Sequence, residues 1–352
     1  MKRYGNLYQQ ICSLKNVRAG HENARRGKRH YPAVARIDAD LDRHVEALRE
    51  TLCSETFVNS PYETFIKRGR KERLVFKLPY WPDRVLHHCV VQVLEPIWSR
   101  TYVRDTYASM KGRGILDGAK RVRAMLKDVP GTAYCLKMDV VKFYPSIDHD
   151  VMRNILQRKI KCRPTLRLLD TILRSSSPGV PIGNYLSQHF GNLCLAYFDH
   201  WMKEAQGVRH YSRYCDDIIV LGADKSRLHE LRKLSEEYMA EQLKLRIKPN
   251  WRVFPVDANG LDFLGYVFRH DHVRLRKSIA QDFKSTVVRI KKRYLSMPLA
   301  KIMNSLMSYY GWMSHANAWN LWRTHVDAEL LQIVAGVCKI NGMTIPKPLW
   351  RS

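Results

Sequence analysis

Two adjacent aspartates interrupt a segment that otherwise reads as an apolar β-hairpin. Asp216 and Asp217 follow YSRYC and precede IIVL, so two carboxylates occupy the turn between two short predicted strands. Like charges held this close together are costly unless a cation neutralises them. An ordinary polar turn would explain most Asp-Asp pairs, and the metal interpretation therefore depends on what other segments add.

A third aspartate ends another predicted strand, which covers 134–140. Asp139 closes this apolar segment, and a helix predicted to run toward Ile160 follows it. Phosphoryl transfer to a nucleotide uses two divalent ions, one at the attacking hydroxyl and one at the triphosphate. Mg²⁺ prefers oxygen ligands. We therefore predict that Asp139, Asp216 and Asp217 are catalytic and hold two Mg²⁺ ions, with Mn²⁺ as an alternative.

The charge of the chain points to a polyanionic partner. Lys and Arg total 60 against 33 Asp and Glu, which gives a formal net charge of +27 over 352 residues. Such an excess is typical of proteins that bind nucleic acid, although a merely basic surface is the alternative. The length predicts one large core with at least one attached subdomain.

Cysteine spacing and hydropathy exclude several other classes. The eight cysteines are scattered without paired or metal-ligand spacing, so neither a zinc site nor a disulfide framework is expected. The N-terminal segment is basic and broken by polar residues, and no segment has the roughly eighteen consecutive apolar residues of a membrane helix. We expect a cytoplasmic protein without a membrane partner.

Hydrophobic periodicity gives a coarse map of the chain. Residues 1–55 read as helical, and 62–78 read as a β-hairpin with a basic tip. The other predicted elements are a helix over 82–98, a helix after Gly118, a helix that Ser146 to Asp150 caps, a helix over 186–203, strands over 211–214 and 218–221, a charged helix over 225–243, short strands near 245–248 and 263–268, and helices thereafter.

Basic residues in two predicted loops are candidates for phosphate contacts. The hairpin tip carries Lys67, Arg68 and Arg70, which suit either a phosphate-gripping loop or a solvated turn. Arg113 lies between two glycines, where the backbone and the guanidinium could both approach an anion. We predict nucleic-acid binding by the hairpin tip.

Two further segments hold candidate substrate contacts. Tyr144 follows Asp139 closely enough to face an incoming sugar, where a ring could exclude a 2′-hydroxyl; a packed core tyrosine is the alternative. In GVPIGNYLSQ, Gly183 permits close approach of backbone to a base pair or sugar, and Gln188 opens the following helix. A simple loop before a helix would look similar.

Six segments in order resemble the successive motifs of reverse transcriptases. They are KERLVFKLP, DTYASMKGRG, DVVKFYPSID, PIGNYLSQ, YCDD and DFLGYVF. The resemblance covers about 62–270 and implies an α+β, right-hand polymerase fold with fingers, a palm with an antiparallel sheet, and a helical thumb. It divides the chain into an N-terminal helical extension (1–55), the fingers and palm (56–270) and the thumb (271–352).

The same resemblance implies a role for individual residues. It makes Asp139, Asp216 and Asp217 the metal ligands and Tyr144 the steric gate. The implied dNTP-binding residues are Arg73, Arg113, Tyr144, Ile182, Gly183 and Gln188, and the implied primer grip is Phe263, Leu264, Gly265 and Tyr266. The family often places a proton-donating lysine after the catalytic hairpin. In this chain that role is left open, because Lys248 is a candidate but Trp251 could occupy the corresponding position.

The fourth motif departs from most of the family. Where most reverse transcriptases have Gln before the glycine and Pro after the serine, this chain has Ile182 and Gln188. The form IGxxxSQ resembles reverse transcriptases of diversity-generating retroelements, which are error-prone at template adenines. It implies error-prone cDNA made from a template-repeat RNA for mutagenic retrohoming. The implied partners are dNTPs, template RNA, cDNA, the RNA–DNA hybrid and an oligomer of the accessory variability protein.

The C-terminal region is basic and aromatic, as a thumb that holds a duplex would be. Lys291, Lys292 and Arg293 are predicted to bind the phosphate backbone, while most of the nearby tyrosines and tryptophans are expected in the thumb core. Two alternatives stay open. One is a retron-like or phage-defence reverse transcriptase, and the other is a non-catalytic RNA-binding protein, against which the three aspartates argue.

Overall fold

The structure, a computed structural model, describes residues 2–69 and 72–340, with the side chains of 337–340 outside that description. Its contacts divide the described chain into two units. Unit one holds the described residues up to Lys111 together with Lys137–Ile219 and His229–Trp251. Unit two holds Gly112–Leu136, Val220–Leu228 and the described residues from Arg252 onward. The predicted subdomain boundaries at 55 and 270 do not coincide with these two units and stay a prediction.

The N-terminal part of unit one is helical, as predicted. Gly20 lies where a side chain could not, because a Cβ there would sit 2.5 Å from the Cys89 sulfur. Its helix therefore packs closely on the one that carries Cys89. The helices are α1 (Tyr8–Cys12), α2 (Leu14–Ala24), α3 (Pro32–Asp38), α4 (Leu41–Cys53) and α5 (Val85–Trp98).

The predicted basic hairpin is confirmed. Strands β1 (Glu63–Lys67) and β2 (Arg73–Lys77) pair antiparallel, with Lys67 opposite Arg73. The side chains of β1 are all exposed, since this two-stranded sheet has little packed against it. The hairpin is held to the rest of unit one partly through its backbone, because the Phe76 N–H donates to the Ile182 carbonyl at 2.8 Å.

The middle of the chain contains five α-helices, two of which were not predicted. One is the single turn 143–146, and the other covers 163–173 and buries Leu168, Leu169 and Ile172 on one face. The predicted capping group is confirmed, since the Asp148 side chain accepts from the N–H groups of Asp150 and Val151. These helices are α7 (Phe143–Ser146), α8 (His149–Gln157), α9 (Arg163–Leu173), α10 (Tyr185–His200) and α11 (Lys225–Leu243).

A five-stranded sheet carries the predicted catalytic hairpin. Thr106 and Arg213 are paired residues of its two parallel strands in unit one. The predicted strand near 245–248 is wrong, because there only a single bridge joins Val140 to Ile247. The strands are β3 (Thr106–Tyr107), β4 (Tyr134–Met138), β5 (His210–Tyr214), β6 (Asp217–Gly222) and β7 (Arg252–Pro255), in the order β3-β5-β6-β4-β7.

Unit two contains a small antiparallel sheet and a set of helices. The segment 263–268, predicted as a strand, is a tight hairpin instead, and the helix expected after Gly118 begins before that residue. The elements are α6 (Ile115–Met125), α12 (Val256–Asn259), β8 (Leu261–Phe263), β9 (Tyr266–Phe268), β10 (Val273–Leu275), α13 (Lys277–Arg293), α14 (Leu299–Met313), α15 (Trp319–His325) and α16 (Ala328–Ile340).

Aromatic rings form much of the core of unit two. Trp322 stacks on Phe283 with ring centroids 5.8 Å apart, and Tyr310 meets Trp322 edge-on at 5.4 Å. Tyr309 lies against Phe283, and Trp312 lies against Tyr266. The expectation that most of these rings serve the core is confirmed. No helix in the described residues is long and apolar enough to cross a membrane.

Candidate active site

Asp139 lies where two extended segments run side by side. The Lys248 N–H donates to the Asp139 carbonyl at 2.8 Å, and the Val141 N–H donates to the Arg246 carbonyl at 2.9 Å. These bonds place the Lys248 ammonium 2.6 Å from the Asp139 carboxylate. Trp251 instead packs against the Arg232 guanidinium at 4.5 Å. Of the two positions left open for the lysine, the structure brings Lys248 to the site.

The turn before Asp216 has an unusual backbone. Cys215 takes a φ of 54°, a left-handed conformation that is uncommon for a residue with a side chain. The Arg213 guanidinium donates to the Cys215 carbonyl at 2.8 Å, which stabilises that peptide group. The turn that presents Asp216 is therefore held by a side chain from the preceding strand.

Arg213 is itself fixed by a buried ion pair with Asp199. Both side chains are 0% exposed, and the guanidinium donates to the two Asp199 oxygens at 2.6 and 2.5 Å. Asp199 also accepts from the Tyr211 hydroxyl at 2.5 Å and the Thr106 hydroxyl at 2.8 Å. Sequence reasoning missed this pair, although an aspartate in the apolar helix segment LCLAYFDH was a visible signal.

The carboxylates of Asp139 and Asp216 are close neighbours. Burial and the adjacent Asp139 raise the pKa of Asp216 to about 7, and Lys248 partly opposes this shift. Asp217 is oriented differently, because its carboxylate lies 3.2 Å from the Lys137 ammonium. The structure thus brings two of the three predicted ligands together and places the third beside a lysine.

The donor set suits a hard divalent cation. Two adjacent carboxylates, one of which resists ionisation, offer the oxygen ligands that Mg²⁺ prefers. Across the described residues, no group of three or more His, Cys, Asp or Glu side chains is arranged to hold a metal ion.

Tyr144 is half-buried beside the turn that precedes Asp216. Its ring borders Gly191, where an added Cβ would lie 3.0 Å away, and its side chain contacts Cys215. Burial and the neighbouring Cys215 raise the pKa of the Tyr144 hydroxyl well above its usual value. The Tyr144 backbone carbonyl accepts from the Val180 N–H at 2.9 Å, which anchors the main chain at this residue.

Gly183 makes a close approach, but to the β1–β2 hairpin. With a φ of 110°, its position would bring a Cβ within 2.6 Å of the Phe76 carbonyl oxygen. Next to it, the half-buried Ile182 accepts from the Phe76 N–H. A cavity of about 240 Å³ lies alongside, lined by residues that include Phe76, Arg84, Gly183 and Gln188. Of the predicted dNTP-binding residues, Gly183 and Gln188 line this cavity.

Helix α10 holds the loop that follows β3. The Ser109 hydroxyl donates to the Gln188 side-chain carbonyl at 2.8 Å, and the Asn192 amide donates to the Ala108 carbonyl at 2.9 Å. Both Ala108 and Ser109 have positive φ, so the loop needs such support. Gln188 thus contacts the loop in addition to any substrate role.

The other predicted contact residues lie on exposed parts of each unit. In unit one, Arg73 is exposed on β2, and Lys67 and Arg68 are exposed at the hairpin tip. Arg70 lies outside the described residues. In unit two, Arg113 is half-buried just before α6.

The predicted primer grip is the turn of the β8–β9 hairpin. Leu264 and Gly265 have φ values of 54° and 85°, and Phe263 pairs with Tyr266 across the turn. The side chains of Phe263, Leu264 and Tyr266 are buried. A Cβ added to Gly265 would lie 2.7 Å from the Trp312 ring. A primer contact from this turn would therefore fall mainly to the backbone.

The basic cluster at the end of α13 is only partly available to a ligand. The Lys291 ammonium lies 2.5 Å from the Asp327 carboxylate and 2.6 Å from that of Glu329. Lys292 and Arg293 are exposed. We therefore expect phosphate contacts from this cluster to depend on Lys292 and Arg293.

Comparison with known proteins gives the family. Residues 66–268 match the family described as Reverse transcriptase (RNA-dependent DNA polymerase). Protein YkfC of Escherichia coli (strain K12) is 21% identical over 296 residues, which cover 70% of this chain and 78% of that protein. Nuclear intron maturase 1, mitochondrial, of Arabidopsis thaliana is 26% identical over 116 residues, which are 33% of this chain and 16% of that protein.

Solved structures give the fold. A telomerase structure from Candida albicans, in complex with a TWJ fragment of telomeric RNA, aligns with a TM-score of 0.50 and 11% identity over 86% of this chain and 71% of that one. Apo telomerase from Candida tropicalis aligns with a TM-score of 0.50 and 13% identity over 81% of this chain and 58% of that one. The predicted right-hand polymerase fold is confirmed, and the chain belongs to the reverse transcriptase family of RNA-directed DNA polymerases.

Proposed function

We propose that this chain is the polymerase of a diversity-generating retroelement, which copies a template-repeat RNA into error-prone cDNA for mutagenic retrohoming. The carboxylate pair of Asp139 and Asp216 supports the chemistry, and the IGxxxSQ form at Ile182 and Gln188 supports the retroelement type. Its substrates are template RNA and dNTPs, its products are cDNA and the RNA–DNA hybrid, and its protein partner is an oligomer of the accessory variability protein. It works in the bacterial cytoplasm.

The chain's own residues would serve this reaction in distinct ways. Asp139, Asp216 and Asp217 would hold two Mg²⁺ ions, or Mn²⁺, which when bound activate the 3′-hydroxyl and neutralise the triphosphate. Lys248 orients the Asp139 carboxylate, and its ammonium is a proton donor at the edge of the site. Arg213 fixes the turn that presents Asp216.

Primer extension separates this proposal from the alternatives. Activity that requires Mg²⁺ or Mn²⁺ excludes a non-catalytic RNA-binding protein. Sequencing the products then tests the retroelement type, because errors concentrated opposite template adenine are expected of a mutagenic polymerase. An even, low error spectrum would instead favour the retron-like or phage-defence alternative.

The sugar gate predicts a change of substrate choice. Tyr144→Ala is expected to raise ribonucleotide incorporation about tenfold or more, because the ring that would meet a 2′-hydroxyl is removed. Tyr144→Phe is the matched control, since it keeps the ring and should keep the selectivity. The measurement is the ratio of kcat/KM for dNTP and rNTP. Unchanged selectivity in Tyr144→Ala would leave Tyr144 as a packing residue beside Cys215.

The fourth motif predicts a change of fidelity. An Ile at 182 can only pack, whereas a Gln could hydrogen-bond near the nascent base pair, and each 1.4 kcal/mol of discrimination is worth about tenfold. Ile182→Gln is therefore expected to lower misincorporation opposite template adenine severalfold. The backbone bond from Phe76 survives this change because it uses the Ile182 carbonyl.

Ile182→Leu is the control for this test, since it alters shape but adds no polar group. Both variants and the unmodified enzyme would copy one defined RNA, and the products would be sequenced. Equal adenine errors in all three would remove Ile182 from the cause of low fidelity.

A further inference from the structure

A basic concavity in unit two is lined by none of the residues assigned to the reaction. It has a volume of about 440 Å³ and is bounded by the end of α6, the β9–β10 turn and one residue of the segment after α14. The charged and polar lining residues are Lys120, Arg123, Lys127, Arg269, His270, Asp271, His272 and Asn317. Four of them are Lys or Arg, and only one is acidic.

The sequence of α6 sets one wall of this concavity. Gly118, Ala119, Val122 and Met125 face the core, which leaves Lys120 and Arg123 on the exposed side of the helix, and Lys127 is exposed in the turn that directly follows it. Lys120 and Arg123 are three residues apart on the same helix face, about 4.5 Å along the axis, and Lys127 follows just beyond the helix end. A row of this kind can follow a run of phosphates along one strand.

Internal hydrogen bonds make the opposite wall rigid. The His270 ring bonds to the Asp257 carboxylate at 2.8 Å and to the Thr132 hydroxyl at 3.0 Å. The Arg269 guanidinium donates to the Asp257 carbonyl at 2.8 Å. The Asn317 N–H donates to the Val273 carbonyl at 2.6 Å, and the Val273 N–H donates to the Asn317 side-chain oxygen at 2.9 Å. The β9–β10 turn is therefore positioned before any ligand arrives.

The acidic groups at this wall already have partners. Asp271 lies 2.7 Å from the His272 ring, and Asp257 is taken up by His270. The cations of α6 consequently dominate the local field. Burial lowers the pKa of the nearby His315, and Lys120 and Arg123 lower it further. The concavity is a surface where an anion would be stabilised.

The position of the wall separates it from the predicted primer contact. The turn at Leu264 and Gly265 joins β8 and β9 at one end, where Phe263 pairs with Tyr266. The basic turn follows Phe268, which is the other end of β9. A strand of three residues is about 10 Å long, so the two turns lie at opposite ends of the small sheet.

We propose that this concavity binds the phosphodiester backbone of a folded RNA segment that lies outside the primer–template duplex. This inference deepens the proposed function, since a template-repeat RNA is longer than the part being copied at any moment. A protein partner is disfavoured because protein interfaces have an apolar centre. Here the larger apolar lining residues, Leu126 and Val273, are only 3% and 4% exposed.

The test compares two lysine pairs of equal charge. In the first variant, Lys120→Glu and Lys127→Glu reverse the α6 wall; in the control, Lys225→Glu and Lys233→Glu reverse two exposed lysines of α11. Each full-length protein is titrated with a long folded transcript and with a short RNA–DNA duplex over a range of salt. Primer extension on the short duplex measures the proposed polymerase activity independently of this surface.

The first variant is expected to bind the long transcript about tenfold more weakly, with a salt slope smaller by about two, and to bind and extend the short duplex normally. The control should change neither affinity by more than about twofold. Unchanged transcript binding by the first variant overturns the proposal. Equal weakening on both nucleic acids also overturns it, because the wall would then touch the duplex. Binding of polyglutamate, lost in the variant while RNA binding persists, would assign the surface to an acidic protein.

If the unmodified enzyme did not extend the primer at all, the proposed function would be contradicted, but the comparison of RNA binding between the variants could still be interpreted. The two failures are therefore distinguishable in one set of proteins.

Discussion

Asp216→Asn is expected to reduce DNA synthesis by about a thousandfold or more. Removing one carboxylate from the pair with Asp139 removes several kcal/mol of charge stabilisation in the transition state, and each 1.4 kcal/mol is worth about tenfold. The amide keeps the size of the side chain. Single-turnover primer extension in saturating Mg²⁺ measures the effect.

The same substitution should leave folding and RNA binding intact. The Asp216 carboxylate is held close to Asp139 at an energetic cost, so its neutralisation should not lower the midpoint of urea unfolding. Asp42→Asn is the control, because that side chain is 80% exposed. Near-normal extension by Asp216→Asn would remove Asp216 from the reaction, and a collapse of RNA binding would point to misfolding instead.

The candidate catalytic residues were predictable in part because their signals are local. Asp139 closes an apolar strand and Asp216 lies in a turn between two others, and the ordered motifs around them supported the prediction of a metal site. The contacts that hold them are not local. Arg213 and Asp199 meet across fourteen positions of sequence, and Lys248 reaches Asp139 from a segment that forms no regular strand. Propensity and periodicity carry no information about such pairings.

The errors in the fold prediction have physical causes. The turn between Phe263 and Tyr266 needs two residues with positive φ, and Leu264 is a residue that rarely adopts that conformation. The turn was therefore hidden inside what read as one strand. Helix α9 was not predicted, although Leu168, Leu169 and Ile172 follow a helical period.

The net charge of the chain was evident from its sequence, but the ion-pair partners of individual basic residues were not. The composition indicated a nucleic-acid partner, and the cluster from Lys291 to Arg293 was an evident candidate. The structure pairs Lys291 with Asp327 and Glu329, which are distant in sequence. The basic residues of the α6 wall were not singled out in the sequence, because only the tertiary fold brings them together with the β9–β10 turn.

The second large effect is expected at the buried ion pair below the catalytic turn. Asp199→Ala leaves the Arg213 guanidinium, which is 0% exposed, without its counter-charge. Stranding one partner of a buried pair costs about 3–5 kcal/mol. The free energy of unfolding from urea titration should fall by that amount. For comparison, Asp170→Ala breaks a solvent-exposed pair with Arg174, which is expected to cost less than about 1 kcal/mol.

A double variant separates stability from positioning of the turn. Asp199→Leu combined with Arg213→Met replaces the ions by apolar side chains, which restores much of the stability lost in Asp199→Ala. DNA synthesis should nevertheless stay low, because the Cys215 carbonyl has lost the donor that holds the left-handed turn before Asp216. In the double variant the urea unfolding midpoint should therefore recover while the rate of primer extension stays low. If the double variant recovered DNA synthesis together with its unfolding midpoint, Arg213 would serve only folding. If Asp199→Ala lost less than about 1 kcal/mol of unfolding free energy, the ion pair would not support the fold.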